Sequence, residues 1–192
     1  MILQTLPGIK QLSFLVMVIT VHALPASGQT NQSKKAGVTP VAPTTDIHSA
    51  IMKGDIVAIK QHIAAKSDLN EKEKFGGSTP LISAALFGKT EIAKLLIDAG
   101  AKLNIQNNEG STALITAAFF CRTEIVKMLL AKNADKTIKN KFGSTAIETV
   151  STSFQDAKPV YDMLGSSLAP LGLKLDYDYL KKTRPAIAAM LK

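Results

Sequence analysis

A threonine ahead of an apolar run returns at a fixed interval in this chain: Thr79, Thr112 and Thr145 stand 33 residues apart. Around them recur the phrases GSTPLISAALF (77–87), GSTALITAAFF (110–120) and GSTAIETVSTS (143–153), with Leu81 matched by Leu114 and Ala84-Ala85 by Ala117-Ala118. Self-similarity at such a period is the signature of stacked supersecondary units, each of which buries its apolar face only against its neighbours. The recurrence also decides how the Gly-Ser-Thr phrase is read. Taken alone, it resembles the start of a phosphate-cradling loop or a serine nucleophile. A catalytic loop is normally used once, so three copies point to scaffold.

The scaffold role has a physical basis. A threonine just before a helix accepts hydrogen bonds from the orphan amides of the first turn, and Pro80 suits the next position because its missing N–H is not needed there. Thr145 with Glu148 has the capping-box spacing. Gly77, Gly110 and Gly143 permit a tight turn before each helix. Downstream the register holds: TEIAKLLIDAGAKLN (90–104) aligns with TEIVKMLLAKNADKT (123–137), and Ile92, Leu95, Leu96 and Ile125, Met128, Leu129 fall at helical spacing.

The phrase G-S-T-P-L-x-x-A-A-x-x-G followed by E-I-x-K-x-L-L-x-x-G-A-x-x-N resembles the ankyrin repeat, whose unit is a turn and two antiparallel helices. Residues 77–104 match almost throughout. Residues 110–137 depart at Ala113, Ile115, Cys121 and Asn133, which stand for the usual proline, histidine, turn glycine and the glycine after the second helix. An earlier, degenerate copy, DIHSAIMKGDIVAIKQHIAAKSDLN, begins at Asp46 with an offset of 34. Its Gln61 and His62 replace two leucines, which suits a terminal capping repeat whose outer face has no neighbour to bury it.

A fourth copy starts at Gly143 and loses register after Thr149. Val160, Met163 and Leu164 rejoin the second-helix pattern with about two inserted residues, by helical spacing. The resemblance implies an all-α fold, an ankyrin-repeat solenoid of about four stacked helix-turn-helix repeats with a helical C-terminal cap. The expected division is a signal peptide (1–28), a flexible leader (29–45), ankyrin repeats (46–165, as 46–75, 76–108, 109–141 and 142–165) and a C-terminal helical cap (166–192). In the cap, Asp176 suits the start of a short helix ending near Thr183, and Pro185 suits the first turn of a last helix. A partner-bound segment is the alternative reading of 166–192.

The amino terminus carries Lys10, the apolar run LSFLVMVITV (12–21) and the small-residue stretch ALPASG (23–28), the pattern of a secretory signal peptide. Cleavage after Gly28 is expected, with Ala23 and Ala26 as alternatives and an uncleaved anchor as a further one. The run is short of the roughly 20 apolar residues of a spanning helix, so no stable membrane insertion is expected once it is removed. Residues 29–45 are polar and proline-containing, and Asn31-Gln32-Ser33 matches a glycosylation acceptor of little weight. Cys121 is the only cysteine, so no intramolecular disulfide forms despite the export signal. The formal net charge is +8, and Lys10 is the only charged side chain in the expected signal peptide. A basic exported protein meets anionic proteins, lipid head groups or glycans rather than nucleic acid. The compartment expected is a bacterial periplasm, with secretion as the alternative.

Catalytic patterns are weak. His48 and His62 have no cysteine nearby, and a zinc site needs about four ligands at compact spacing. The scattered carboxylates single out no general acid and base. No cofactor, metal or enzymatic activity is expected. Cys121 replaces a glycine where the repeat needs a left-handed backbone. A redox or stress-related envelope role through its thiol is one alternative, and repeat drift the other.

What remains is binding. The resemblance implies that turn tips and the exposed side of the first helices contact partners across a concave surface. The tips are KEKFG (72–76), QNNEG (106–110) and KNKFG (139–143), and the variable first-helix positions are Leu86-Phe87, Phe119-Phe120 and Thr152-Ser153. The expected partner-binding set is therefore Phe75, Phe87, Asn108, Glu109, Phe119, Phe120, Lys141 and Phe142, an aromatic cluster rimmed by Lys72, Lys74, Lys139 and Lys141. The competing expectation is that neighbouring helices bury one of each phenylalanine pair. The function expected is a monomeric adaptor, inhibitor or immunity-type protein holding a protein partner, an acidic one among the options. A secreted effector of a host protein is the alternative.

Overall fold

The computed structural model describes residues 43–192. The expected signal peptide and all but the last three residues of the leader lie outside the described residues. Each of the three inner helices after the first begins where a threonine precedes it. Thr79 Oγ1 accepts from Ile82 N at 3.3 Å to start α3 (Pro80–Leu86), and Thr112 Oγ1 accepts from Ile115 N at 3.3 Å to start α5 (Ala113–Phe119). At α7 (Ala146–Ser151) the Glu148 carboxylate reaches back to the Thr145 N–H at 2.6 Å and to its hydroxyl at 2.8 Å. Asp46 caps α1 (Ile47–Lys53) in the same way, accepting from Ser49 N.

These four helices form the inner row. Ala84, Ala85, Ala117 and Ala118 are fully buried between them, and it is their small size that lets successive helices approach. The outer row begins with α2 (Ile56–Ala64), α4 (Thr90–Asp98) and α6 (Thr123–Ala131), each packed on its own inner helix and on the outer helix before or after it. Ile59, Ile92, Leu96, Ile125 and Leu129 fill the space between the rows with essentially no exposure. Leu95 and Met128, at helical spacing with them, sit at the edge and are half-buried. The described residues are thus all-helical and built of stacked helix-turn-helix units, as the repeat implies, and none of their helices is long and apolar enough to cross a membrane.

Two expectations are overturned. His62, expected at a solvent-facing position of the capping repeat, is 6% exposed; its ring bonds to Thr45 O at 2.9 Å and to Ser67 Oγ at 3.1 Å. It ties the segment before α1 to the end of α2. A polar residue is tolerated there because both ring nitrogens find partners.

The larger difference lies in the fourth unit. Residues 154–168 form a long helix, α8 (Phe154–Leu168), but α8 does not lie along α7 as a second repeat helix. That place belongs to α9 (Tyr177–Leu191), which packs along α7 and beside α6. Its first turn meets the start of α6, with Tyr179 and Thr123 hydroxyls 3.3 Å apart, and its end meets the loop after α6, where Lys136 Nζ donates to Lys192 O at 3.2 Å. The segment expected to be a cap therefore completes the fourth repeat. Asp176 starts α9 as expected, accepting from Tyr179 N at 3.0 Å, but Pro185 lies inside one continuous helix rather than opening a second. Pro185 is solvent-exposed, so its missing donor is lost on the wet side of the helix.

Candidate protein-binding surface

The tips that link one unit to the next are locked to each other by the backbone. Asn108 N donates to Gly76 O at 2.8 Å and Lys141 N to Glu109 O at 3.0 Å, so each tip hydrogen-bonds to the preceding one. Within a tip one side chain organises the turn: Asn107 Oδ1 accepts from the amides of Glu109 and Ser111, and Asn140 Oδ1 from those of Phe142 and Ser144. In the first tip a carboxylate does this work, with Glu73 accepting from Phe75 N at 2.7 Å and Ser78 N at 3.0 Å. Gln106 and Lys72 add side-chain bonds from tip to tip, Gln106 Nε2 to Lys139 O at 3.0 Å and Lys72 Nζ to Gln106 O at 2.6 Å. The glycines are needed for closeness as well as for turning. Gly110 has φ +73°, and a Cβ there would lie 2.9 Å from Lys141 N.

On this rigid strip the expected binding residues fare differently. Phe75 is 59% exposed, one of the few large apolar side chains on the surface. Lys141 is exposed, while Glu109 and Phe142 are half-buried. Asn108 is exposed, yet its amide donates to Phe75 O at 3.0 Å, so its side chain serves the stacking of tips.

The inner-helix positions do not form an open aromatic cluster. Phe87 is partly exposed at the end of α3, but Phe120 is 4% exposed and belongs to the core. Phe119 is half-buried, with α8 over one side: the Tyr161 ring stacks on it at 4.6 Å between centroids, and the Tyr161 hydroxyl donates to the Phe119 carbonyl. Phe120 lies edge-on to Phe119 at 5.1 Å. The expectation that Phe119 and Phe120 are both open to a partner is thus corrected, and the competing expectation, that neighbouring helices bury one of the pair, describes Phe120. An aromatic pair at the end of α5 gains more from packing on a third ring within the chain than from facing water.

Around this aromatic group sit two arginines. Arg184, 2% exposed, donates to the Tyr161 hydroxyl at 3.0 Å and to the Thr152 carbonyl and hydroxyl at 2.9 Å each. Arg122 donates to Leu86 O at 3.1 Å and lies over the Phe120 ring, with its carbon 5.9 Å from the centroid. Neither pairs with a carboxylate among the described residues. Their acceptors are the free carbonyls at the C-terminal ends of α3 and α7, where the helix dipole favours a cation.

Cys121 occupies the left-handed position expected of it, with φ +52°. Its side chain is fully buried under α9 and its Sγ faces Leu180 O at 3.8 Å. Burial pushes the thiol up to about 11, despite the nearby arginines. A buried, protonated thiol is not a redox nucleophile, and this overturns the reading that gave Cys121 envelope redox chemistry. Among the described residues no group of three His, Cys, Asp or Glu side chains is placed to hold a metal ion.

Two helix rows joined by mutually bonded tips define a solenoid of stacked helix-turn-helix units. Residues 47–140 match the family model for ankyrin repeats in three copies, and that segment is an ankyrin-repeat stack. Dauer abnormal formation protein 25 of Caenorhabditis elegans is 36% identical over 59 residues, which is 31% of this chain and 15% of that protein. Inversin of Gallus gallus is 35% identical over 60 residues, 31% of this chain and 5% of that protein. The chain thus spans a small part of the length of these relatives. Among solved structures, the ankyrin repeat domain of Bcl-3, a member of the IkappaB protein family, superposes with a TM-score of 0.52 at 25% identity, covering 54% of this chain and 45% of that one. Ankyrin repeats are generally protein–protein interaction modules and typically non-enzymatic scaffolds.

Proposed function

We propose that this chain is an exported, non-enzymatic binding protein that holds a protein partner with its turn tips and with the part of the inner face that α8 leaves open. The observation that carries this reading is Phe75, 59% exposed on a tip whose backbone is bonded to the next tip. A large aromatic held on a rigid turn loses little entropy on binding, the usual character of an interface anchor. Phe87 continues the surface onto α3. Lys72, Lys74, Lys139 and Lys141 surround the tips and favour an acidic partner by electrostatic steering. The role fits an adaptor, an inhibitor or an immunity-type protein in the periplasm, with the export reading resting on residues 1–28.

Crosslinking in the native cell followed by identification of the bound protein tests the proposal. Phe75→Ala together with Phe87→Ala should abolish capture while the chain keeps a cooperative thermal melt, lowered only by the packing that Phe87 makes with the core. Unaltered capture would move the binding surface elsewhere. Fractionation separates a periplasmic protein from a secreted effector: recovery from the medium, with a host protein captured, supports the latter.

A further inference from the structure

The three tips are one turn written with different side chains. In each, the residue two places after the organising side chain donates its amide to it: Phe75 N to Glu73 at 2.7 Å, Glu109 N to Asn107 at 3.0 Å and Phe142 N to Asn140 at 3.0 Å. Phe75, Glu109 and Phe142 therefore hold equivalent places along the strip. The positions on either side of the organiser are Lys72 and Lys74 in the first tip and Lys139 and Lys141 in the third, all exposed, but Gln106 and Asn108 in the second. The outer tips thus both read Lys-x-Lys-Phe, while the middle one is neutral where they have lysine and acidic where they have phenylalanine. The carboxylates of the strip are less available than its lysines. Both oxygens of Glu73 accept backbone amides, from Phe75 and Ser78, and Glu109 is half-buried. Glu71, exposed, lies just ahead of the first tip.

The spacing of the two outer tips follows from the stack. Neighbouring inner helices pack at about 8–10 Å, so tips two steps apart are held at about 16–20 Å. The backbone bonds through the middle tip, Asn108 N to Gly76 O and Lys141 N to Glu109 O, keep that distance fixed. It exceeds the Debye length of about 8 Å at physiological salt, so the two lysine pairs act as separate grips rather than as one diffuse field.

We propose that the tip strip measures an extended segment of the protein partner, one carrying two acidic clusters, each with an apolar side chain, about five or six residues apart at the rise of an extended chain. The inference rests on the reading of the tips as a binding surface and adds the pattern that the partner must carry. Each cluster sets its carboxylates against one lysine pair and its apolar side chain against Phe75 or Phe142. The residues between them cross Gln106 and Asn108, and Glu109 disfavours a further carboxylate there. This alternation of sign separates such a segment from a uniformly anionic lipid surface or glycan. Two weak contacts joined at the right spacing bind far more tightly than either alone.

The test titrates the whole chain, by fluorescence anisotropy at physiological salt, with synthetic peptides of two Glu-Phe-Glu triplets whose centres stand about six or about three residues apart. Both peptides carry the same charge, but three residues span at most about 11 Å and cannot reach both grips. The longer peptide should bind at least tenfold more tightly than the shorter. Lys139→Gln with Lys141→Asn, which gives the third tip the residues of the second, should bring the longer peptide down to the level of the shorter. The shorter peptide, still held at the first tip, should change by no more than about twofold. Equal affinities for the two peptides, or a longer peptide unmoved by the third-tip variant, would make the strip a diffuse basic surface and overturn the proposal. Binding to phosphatidylglycerol vesicles with neither peptide bound would make a lipid surface the occupant and overturn it as well. Loss of the spacing preference alone leaves capture through the tips standing, because that reading depends on Phe75 and Phe87.

Discussion

At the scale of single residues, the tip glycines show how backbone closeness and backbone conformation separate. Gly110 and Gly143 both have positive φ, +73° and +77°, but only at Gly110 would a Cβ meet the backbone of the next tip. Alanine at Gly143 should cost about 1–2 kcal/mol for the left-handed conformation. Alanine at Gly110 should cost about 1–3 kcal/mol more, because the bond from Lys141 N to Glu109 O is forced apart. Urea denaturation of the two variants gives the difference directly. Cys121 and Tyr161 make a second residue-scale prediction. Burial raises their pKa values from 9.0 to about 11 and from 10.0 to about 12. Between the ordinary and the raised values the native state keeps protons that the unfolded chain has released, so stability must fall as pH rises. It is fully present below about pH 9 and lost through pH 11 to 12. Melting temperatures should drop steeply over that range, and Tyr161→Phe, with no phenol to ionise, should flatten the drop.

At the scale of elements, what matters is which partner a helix faces. The inner helices were legible because Thr79, Thr112 and Thr145 mark their starts and buried alanines mark their faces. The exchange of α8 and α9 was not, because Val160, Met163 and Leu164 have helical spacing whichever surface they meet. Periodicity reports that a helix has an apolar side and leaves its neighbour open. The available signal was Arg184, a charge set among Leu180, Ile187 and Leu191 on the buried side of α9. A cation in such a register announces acceptors waiting in the core. The exposure of Phe75 followed from its place on a tip, and burial of one of Phe119 and Phe120 was one of two readings open in the sequence, since a pair of phenylalanines looks the same there with or without Tyr161 over it. If α9 completes the fourth repeat, a chain ending at Asp176 should lose amide protection in α7 and α8 and retain it in α1–α4, as expected of a stack held by nearest-neighbour contacts. Retained protection in α7 would make α9 an accessory.

For the whole molecule, charge and packing have separate tasks. All four ion pairs among the described residues join exposed side chains, from Lys94–Asp98 on α4 to Lys158–Asp162 on α8. Such pairs contribute about 0–1 kcal/mol each, so the stack is held by its aliphatic rows rather than by its charges. Raising salt from low ionic strength to about 1 M should barely move the melting temperature. Association with an acidic partner should slow markedly over the same range, because its steering is screened beyond a Debye length of about 3 Å. Stopped-flow binding alongside calorimetry separates the two effects.

The placement of α9 also bears on how the molecule is assembled in time. In the first three units the outer helix follows its inner helix after a short turn, and a pair forms from contacts local in the chain. In the fourth, α7 must wait for α8 and the turn at Ala169–Leu171 to be made before its outer helix exists. Closing that longer loop costs more chain entropy and slows the step. The last unit is therefore expected to close later than the first three, after the nascent chain has extended well past the residues it must cover.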